Sequence, residues 1–187
     1  MVLGDTDLKA LLTRIGNKDK AAFAALYREM EKPLFRFVMS KLNDPFQSGD
    51  ILHEVFLEIW KNAARFEGRS TAKTWMFGIA YRKVMDVFRK TSKVDLTDEM
   101  PDQEDDAPAG EACLLAAQEA EHVRHCLSEL KPQHRSAVEL AFYEDMSYRE
   151  IAEATDVPEG TVKTRVFHAK QLLMRCLQAR MQIGAKA

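Results

Sequence analysis

Residues 147–173, SYREIAEATDVPEGTVKTRVFHAKQLL, carry apolar residues at helical spacing on both sides of a short break. Ser147 and Glu150 form the S-x-x-E pattern of a capping box, which predicts the start of a helix. Asp156 lies in the break and tolerates the left-handed backbone conformation better than most residues do. Pro158 suits a first helical position, so a second helix is expected to run to about residue 180. The stretch therefore predicts a short helix, a tight turn and a longer helix.

The longer helix has two different faces. Val162, Val166, Ala169 and Leu173 share one face and are expected in the core, packed on the preceding helix. The opposite face is polar and basic, and it contains Gly160, Lys163, Thr164, Arg165, Phe167, His168, Lys170 and Gln171. Such a helix-turn-helix can enter a DNA major groove, where cations contact phosphates or guanine and Thr164 or Phe167 contacts a thymine methyl. The alternative is a basic surface on a small helical bundle.

Charge is distributed unevenly along the chain, although the formal net charge is only −2. Residues 95–111 contain eight acids and no base, namely Asp95, Asp98, Glu99, Asp102, Glu104, Asp105, Asp106 and Glu111. Residues 61–93 hold nine lysines and arginines against two acids, and residues 159–187 hold six against one. Two basic segments separated by an acidic one indicate a polyanionic partner such as nucleic acid.

Helical periodicity dominates on both sides of the acidic segment, and no stretch alternates with period two. Helices are predicted near residues 8–15, 23–30, 50–63, 71–90, 111–130, 132–143, 147–154 and 158–180, with a kink or a fresh start after Pro33. Pro101, Pro108 and the acids between them indicate a flexible linker. The fold class predicted is all-α, with two small helical domains at residues 1–93 and 112–187 joined by an acidic linker at residues 94–111.

Cysteine spacing and hydropathy exclude several classes of protein. Cys113, Cys126 and Cys176 form neither an even set nor a CxxC pair, so reduced, partly buried thiols are expected. His122 and Cys126 are four residues apart, but no second well-spaced pair accompanies them, so no metal site and no cofactor are expected. No apolar run approaches the length of about 18 residues that spans a bilayer. We therefore expect a cytoplasmic protein without direct membrane insertion.

The predicted helix at residues 71–90 places Trp75 and Ile79 among cations, opposite its broad apolar face. Exposed aromatic and aliphatic side chains beside cations suit stacking against unpaired bases. The alternative is that the upstream chain covers Trp75.

The predicted helix at residues 50–63 carries a second unusual stripe, Asp50, Glu54, Leu57 and Lys61. An acidic stripe with one exposed leucine favours a protein-docking surface over a DNA surface. A merely solvated charged face is the alternative.

Two segments together resemble a known family. DILHEVFLEIWKNAARFEGRSTAKTWMFGIAYRKVMDVFRK, residues 50–90, resembles region 2 of the extracytoplasmic-function sigma factors of bacterial RNA polymerase, and residues 127–173 resemble their region 4. The likeness covers roughly residues 8–93 and 112–180, in the order and spacing of the family. His53 stands where the family often has Gln, Arg82 where it often has Asn, and Thr155-Asp156 where it has Leu-Gly.

The resemblance implies three contact surfaces. The grip on the coiled coil of the polymerase β′ subunit is implied at Asp50, Glu54, Leu57 and Trp60. The minus-10 surface, with a loop that captures a flipped base, is implied at Phe66, Gly68, Arg69, Ser70, Trp75, Arg82, Asp86 and Arg89. The minus-35 surface is implied at Tyr148, Arg149, Thr161, Lys163, Thr164, Arg165, Phe167, His168 and Lys170.

The resemblance also implies the partners and the class of activity. Core RNA polymerase (through its β′ coiled coil and β flap), promoter DNA and a restraining anti-sigma factor are expected, in a stress response, with the acidic linker in a channel of the polymerase. No catalytic residue is implied. Two other classes stay open on the residues alone: an autonomous helix-turn-helix repressor, and an enzyme acting on nucleic acid, for which no P-loop or nucleophile with a base is found.

Overall fold

All regular elements in residues 3–91 and 111–184, which the computed structural model describes, are helices, as predicted. The N-terminal lobe contains α1 (Asp5–Gly16), α2 (Lys20–Leu42), α3 (Pro45–Asn62), a 3₁₀ turn (Ala63–Arg65) and α4 (Ala72–Thr91). The C-terminal lobe contains α5 (Glu111–Ser128), α6 (Pro132–Phe142), α7 (Tyr148–Thr155) and α8 (Glu159–Gly184). Residues 94–110 of the predicted acidic linker lie outside the described residues. None of the helices within the described ranges has the length and apolarity to cross a bilayer.

Two helix boundaries differ from the sequence prediction. Pro33 lies inside the continuous helix α2, so no fresh helix starts there. Its missing N–H is tolerated because buried Leu34, Phe37 and other residues anchor the helix on both sides of it. Helix α3 begins at Pro45 rather than near residue 50, since the Asp44 carboxylate accepts hydrogen bonds from the N–H groups of Phe46 (2.8 Å) and Gln47 (3.0 Å).

The core of the N-terminal lobe lies between α1, α2, α3 and α4. Phe37 of α2 and Phe77 of α4 meet edge to face, with ring centroids 5.3 Å apart. Burial of each large apolar side chain stabilises the lobe by about 1.5–3 kcal/mol. The fully buried apolar side chains include Leu12, Ile15, Leu26, Leu34, Val55, Ile59, Met76 and Phe77.

The C-terminal lobe has the predicted helix-turn-helix. Ser147 and Glu150 form the capping box of α7, and Asp156 ends that helix with φ at 53° and ψ at 51°, in the left-handed region. Val162, Val166 and Ala169 of α8 are buried as predicted. A second, separate apolar cluster in this lobe is small, and it consists of Leu127, Leu130, Val138 and Ala169 with Leu173 against it.

A disulfide joins α5 to α8, so the prediction of reduced thiols was wrong for two of the three cysteines. Cys126 and Cys176 are bonded, with Cα atoms 5.8 Å apart, and they are 50 positions apart in sequence. The packing of α5 on α8 brings the two Cα atoms within the range that a disulfide can bridge. That pairing depends on helix packing and has no signature in the spacing of the cysteines.

The two lobes pack against each other through α2 and α4 of one and α6 and α7 of the other. The main cluster of buried apolar residues is continuous across the contact, because it includes Leu140, Met146 and Ile151 together with the core of the N-terminal lobe. A Cβ atom added to Gly78 of α4 would lie 3.3 Å from the carbonyl oxygen of Ala154 in α7. Glycine therefore permits a close approach of the two helix backbones at this point.

Candidate nucleic-acid interface

The predicted recognition surface on α8 faces solvent. Lys163, Thr164, His168 and Lys170 are exposed, and Phe167 retains 58% of its accessible surface. Thr161 and Arg165 of the same helix are half-buried, as is Tyr148 at the start of α7. The structure therefore brings the predicted set together on one side of the helix-turn-helix. An exposed aromatic ring among cations is the type of surface that contacts base edges and phosphates.

Local interactions hold several of these side chains. Lys163 forms an ion pair with Glu159 one turn earlier (2.9 Å), and this contact raises the pKa of the lysine. Arg149 lies 3.3 Å from Glu153, and the Thr164 hydroxyl donates to the carbonyl oxygen of Gly160 (3.0 Å). Each pair is exposed and contributes little to stability, so phosphate can displace the carboxylates at small cost.

His134 lies beside this surface, and the positive charges there affect the pKa of its imidazole. His134 of α6 is half-buried, and burial lowers the pKa of its imidazole. The nearby Arg165 and His168 lower that pKa further, because they repel a proton on the ring. A locally positive field at the recognition helix favours an anionic ligand.

The predicted minus-10 loop and Trp75 lie together. The rings of Phe66 and Trp75 have centroids 5.3 Å apart, and Trp75 is half-buried, so its side chain lies between the predicted exposed position and the alternative of full cover by the upstream chain. Gly68 has a φ of 71°, a conformation that favours glycine, and Arg69 pairs with Glu67. The loop thus has a defined shape beside an accessible aromatic ring, as a pocket for an unpaired base requires.

The prediction that Ile79 is exposed was wrong, since it retains 1% of its accessible surface. Helix α4 is packed by α1, α2 and α3 of its own lobe and by α7 of the other lobe, so most of its length is enclosed. Among the predicted contact residues of this helix, Trp75 is half-buried, and those of the second half, Arg82, Asp86 and Arg89, are exposed. Arg82 lies 3.8 Å from Glu58, and Arg89 pairs with Asp86 at 2.7 Å.

The predicted docking stripe on α3 is exposed at Asp50, Glu54 and Leu57, and Leu57 retains 55% of its accessible surface. Trp60 differs from these three. It is half-buried, with its ring packed against that of Phe23 at 5.2 Å.

Ion pairs connect this stripe to α4. Lys83 lies 3.0 Å from Glu54 and 3.5 Å from Glu58, and these contacts raise the pKa of the lysine. The α3 stripe and the predicted promoter helix are therefore joined electrostatically.

Sequence reasoning missed a group of charged residues between the lobes. We call it the interlobe charge cluster, and its members are Arg36, Lys41 and Lys73 of the N-terminal lobe and Arg135, Glu139 and Glu144 of the C-terminal lobe. Lys41 pairs with Glu139, and both side chains are almost fully buried. The only sequence signal was a charged residue inside each of two apolar helical runs, FVMSKL and SAVELAF.

Within the described residues, no group of three or more His, Cys, Asp or Glu side chains is placed to hold a metal ion. Cys126, which the sequence paired with His122 as an unlikely zinc ligand, is bonded to Cys176.

Comparison with known families and proteins supports the resemblance. The family model "Sigma-70 region 2" matches residues 26–94, and "Sigma-70, region 4" matches residues 120–173. The ECF RNA polymerase sigma factor SigK of Mycobacterium tuberculosis is 30% identical over 92% of this chain and 94% of its own. SigK of Mycolicibacterium vanbaalenii is 27% identical over 91% of this chain and 89% of its own.

Solved structures share the fold. CnrH, solved in complex with the cytosolic domain of CnrY, has a TM-score of 0.69 at 19% identity, covering 92% of this chain and 98% of its own. The sigma factor RpoE from Bartonella quintana, solved with the anti-sigma factor NepR, has a TM-score of 0.66 at 20% identity, covering 83% of this chain and 96% of its own. Together with the nearly full-length sequence match to SigK, the two family models and the exposed helix-turn-helix show that this chain belongs to the extracytoplasmic-function (ECF) sigma factors of RNA polymerase.

Proposed function

We propose that this protein is an alternative sigma factor that binds core RNA polymerase, directs it to a specific set of promoters and promotes initiation of transcription. The observation that carries the proposal is the exposed face of α8, where Phe167 stands among His168, Lys163 and Lys170 on a capped helix-turn-helix. In this function α8 reads the minus-35 element, and Tyr148 and Arg149 contact phosphates.

Each of the two lobes corresponds to one domain with its own part in this function. Residues 1–93 form the region 2 domain, residues 94–111 the acidic linker, and residues 112–187 the region 4 domain. The two matched family models support this division because they fall on opposite sides of the acidic segment. The acidic linker, repelled by DNA, lies in a channel of the polymerase.

Polymerase binding is assigned to both lobes. The exposed stripe of Asp50, Glu54 and Leu57 on α3, with Trp60 at its margin, grips the β′ coiled coil. Its acidic and apolar character supports a protein partner over DNA. The C-terminal lobe meets the β flap.

The minus-10 element is assigned to α4 and to the loop before it. Phe66, Gly68, Arg69 and Ser70 capture one flipped base, and Trp75 stacks beside it. The loop geometry and the Phe66–Trp75 contact support this assignment. Arg82, Asp86 and Arg89 continue the surface along α4.

An anti-sigma factor restrains the protein in the cell until a stress signal releases it. The like-folded RpoE of Bartonella quintana was solved with such a partner, which supports this part of the proposal. We place the protein in the cytoplasm, where its polymerase acts, and assign it no enzymatic activity of its own.

Run-off transcription tests the proposal. Core polymerase from the native host is supplied with genomic promoter fragments, with and without the protein, and new transcripts are expected only with the protein. An autonomous repressor would instead bind duplex DNA tightly alone and add no transcripts. Transcription that stays unchanged on every fragment would reject the sigma-factor function.

Two variants separate the surfaces. Leu57→Asp is expected to weaken binding to core polymerase, whereas Phe46→Asp, at an exposed position near the start of the same helix, is the matched control. Trp75→Ala is expected to reduce open-complex formation more than polymerase binding. If Leu57→Asp and Trp75→Ala impair the same step, the assignment of separate surfaces fails.

A further inference from the structure

The minus-10 loop, residues 66–71, connects the 3₁₀ turn to helix α4. The residues on either side of it are held in the core, since Ala63 and Ala72 retain 3% and 0% of their accessible surface. Glu67, Gly68 and Arg69 in the middle of the loop are exposed. The shape of an exposed loop depends on the scaffold that holds its ends. Both ends of this loop contact helix α1.

Asp5, in the first turn of α1, holds the end of the loop at α4. Its carboxylate accepts a hydrogen bond from the N–H of Ala72 at 2.7 Å, across 67 positions of sequence. That N–H is among the first four of α4, which have no acceptor within their own helix, and the negative charge lies at the positive end of the helix dipole. Lys9 pairs with the other carboxylate oxygen at 2.9 Å and orients the group. Because Trp75 follows in the same turn of α4, the position of its ring depends on this contact.

Gly16, the last residue of α1, packs on the other end of the loop. A Cβ atom added to Gly16 would lie 3.0 Å from the Cα atom and 3.1 Å from the N atom of Ala64 in the 3₁₀ turn. Glycine therefore permits a close approach of the two backbones here. Lys18, just after α1, donates to the carbonyl oxygen of Trp60 at 3.4 Å and so ties the end of α3 to the same corner.

Helix α1 is a rigid spacer between these two contacts. Its buried residues Leu8, Leu12 and Ile15 anchor it in the core of the lobe. It has 12 residues, and at about 1.5 Å per residue it spans about 18 Å. A chain running from residue 64 to residue 72 can reach about 26 Å when fully extended. The helix thus holds the two ends closer together than the loop could reach, which keeps the loop bent beside Trp75.

We propose that α1 positions the minus-10 loop, with Asp5 and Gly16 as the positioning residues that hold its two ends and preform the pocket for the flipped base. This inference rests on the proposed function and adds the element that shapes its pocket. The matched region 2 model begins at residue 26 and the region 4 model at residue 120, so both leave out α1. A loop that is already held in place loses less conformational entropy when it captures a base, so capture is tighter.

The first test measures amide hydrogen exchange of residues 64–75 in the free protein. Asp5→Ala and Gly16→Ala are each expected to increase the exchange about fivefold, the factor that corresponds to the loss of roughly one hydrogen bond. Asp5→Asn keeps a carbonyl oxygen as the acceptor for Ala72 and is expected to recover most of the protection.

Two matched variants serve as controls for the exchange measurement. Asp7→Ala removes the other acid from the first turn of α1, whose carboxylate accepts from the Gly4 N–H instead of from the loop. Gly49→Ala in α3 adds a Cβ atom with nothing within 4 Å. Both are expected to keep the wild-type exchange of residues 64–75. Unchanged exchange in Asp5→Ala or in Gly16→Ala, or an equal increase in Asp7→Ala, would overturn the inference.

The second test measures base capture by the protein bound to core polymerase. The probes are a single-stranded oligonucleotide with the non-template minus-10 sequence of a promoter that run-off transcription identifies, and copies of it that are abasic at one position each. The abasic copy that wild type binds most weakly marks the captured base. Asp5→Ala is expected to bind the intact probe about fivefold more weakly than wild type does and to bind that abasic copy equally well. Asp7→Ala is expected to match wild type on both probes.

The two probes separate positioning of the loop from a general effect on the fold. A merely structural role of Asp5 would weaken the binding of both probes equally, and that result, or an unchanged affinity of Asp5→Ala for the intact probe, would overturn the inference. If wild type with polymerase binds none of the probes, the proposed function fails, while the exchange comparison still decides whether α1 positions the loop.

Discussion

At the scale of single residues, His134 places an uncharged imidazole ring beside positively charged side chains of the C-terminal lobe. Its Nδ1 atom is buried without a hydrogen-bond partner among the described residues, and Arg165 and His168 lie near the ring. Burial and these two side chains lower the pKa of His134 below its usual value. The unfolded chain therefore binds the proton more readily than the folded chain does.

A pH dependence of stability follows from that difference. As the pH falls through the unfolded pKa of about 6.5, the unfolded state gains a proton that the folded state resists, so stability falls. His134→Gln is expected to lose less melting temperature than wild type between about pH 7.5 and about pH 5.5. His125→Gln, at an exposed position on α5, is the control and is expected to keep the wild-type slope. Equal slopes for His134→Gln and wild type would contradict the prediction.

The sequence predicted correctly whether a side chain is buried or exposed where the periodicity of a single helix determines it. The wheel of α8 placed Phe167 outside and Val166 inside, and both positions were correct. It failed at Ile79, because a second lobe covers that side of α4 and no pattern within α4 encodes the cover. Periodicity identifies a face that can be buried, but the neighbouring element decides whether it is.

At the scale of elements, α7 depends on its cap. It has eight residues, too few to be stable alone in water, and its first turn is held by Ser147 and Glu150. The Glu150 carboxylate accepts from the Ser147 N–H at 2.9 Å, and the Ser147 hydroxyl accepts from the Glu150 N–H at 3.3 Å. This capping box was predictable from the sequence because Ser147 and Glu150 lie close together in the chain, at the S-x-x-E spacing.

Removal of the cap is expected to lower the stability of the C-terminal lobe. Ser147→Ala is expected to cost about 1 kcal/mol in the free energy of unfolding, measured by urea denaturation, because one N–H of the first turn loses its acceptor. Ser147→Asp retains an acceptor and is expected to recover most of the loss. Equal stability of Ser147→Ala and wild type would show that the hydroxyl is not needed.

The disulfide between α5 and α8 gives a second prediction at this scale. The separate apolar cluster of the C-terminal lobe is small, so a covalent bond across 50 residues contributes much of the lobe's stability. Restriction of the unfolded chain over a loop of that length contributes about 4 kcal/mol. Reduction of the wild type by dithiothreitol is expected to lower the melting temperature.

Matched cysteine variants identify the responsible bond. Cys126→Ala is expected to melt low with or without dithiothreitol, because it has no bond to reduce. Cys113→Ser keeps both bonded cysteines and is expected to respond like wild type. A reductant response that survives in Cys126→Ala would show that another change is responsible.

At the scale of the whole molecule, the two domains expected from sequence pack together around a continuous apolar core. The acidic segment lies between the two lobes in sequence, but their packing depends on side chains far apart in the chain, such as Lys41 and Glu139, which are 98 residues apart. Each is a charge on a largely apolar helix and is unremarkable alone. The contact becomes recognisable only when both helices are seen together.

Continuity of the apolar core across the lobes predicts how the chain unfolds. Because Leu140 and Ile151 belong to the same buried cluster as Leu34 and Phe77, neither lobe can unfold without exposing apolar surface of the other. Scanning calorimetry of the wild type is expected to show one transition, with equal calorimetric and van't Hoff enthalpies of about 130 kcal/mol near 60 °C.

Separation of the lobes is expected to divide that transition. Gly78→Leu forces α7 away from α4, so each lobe then unfolds alone and two transitions are expected, the lower one from the C-terminal lobe with its small cluster. Dithiothreitol identifies the peaks, since only the lobe with the disulfide shifts. Gly49→Leu, which meets nothing within 4 Å, is expected to keep a single transition. A core shared by both lobes must be lost from both at once, which is why one transition is expected for the wild type. Two resolved transitions in the wild type would contradict this prediction, since they would mean that the lobes unfold independently despite their contact.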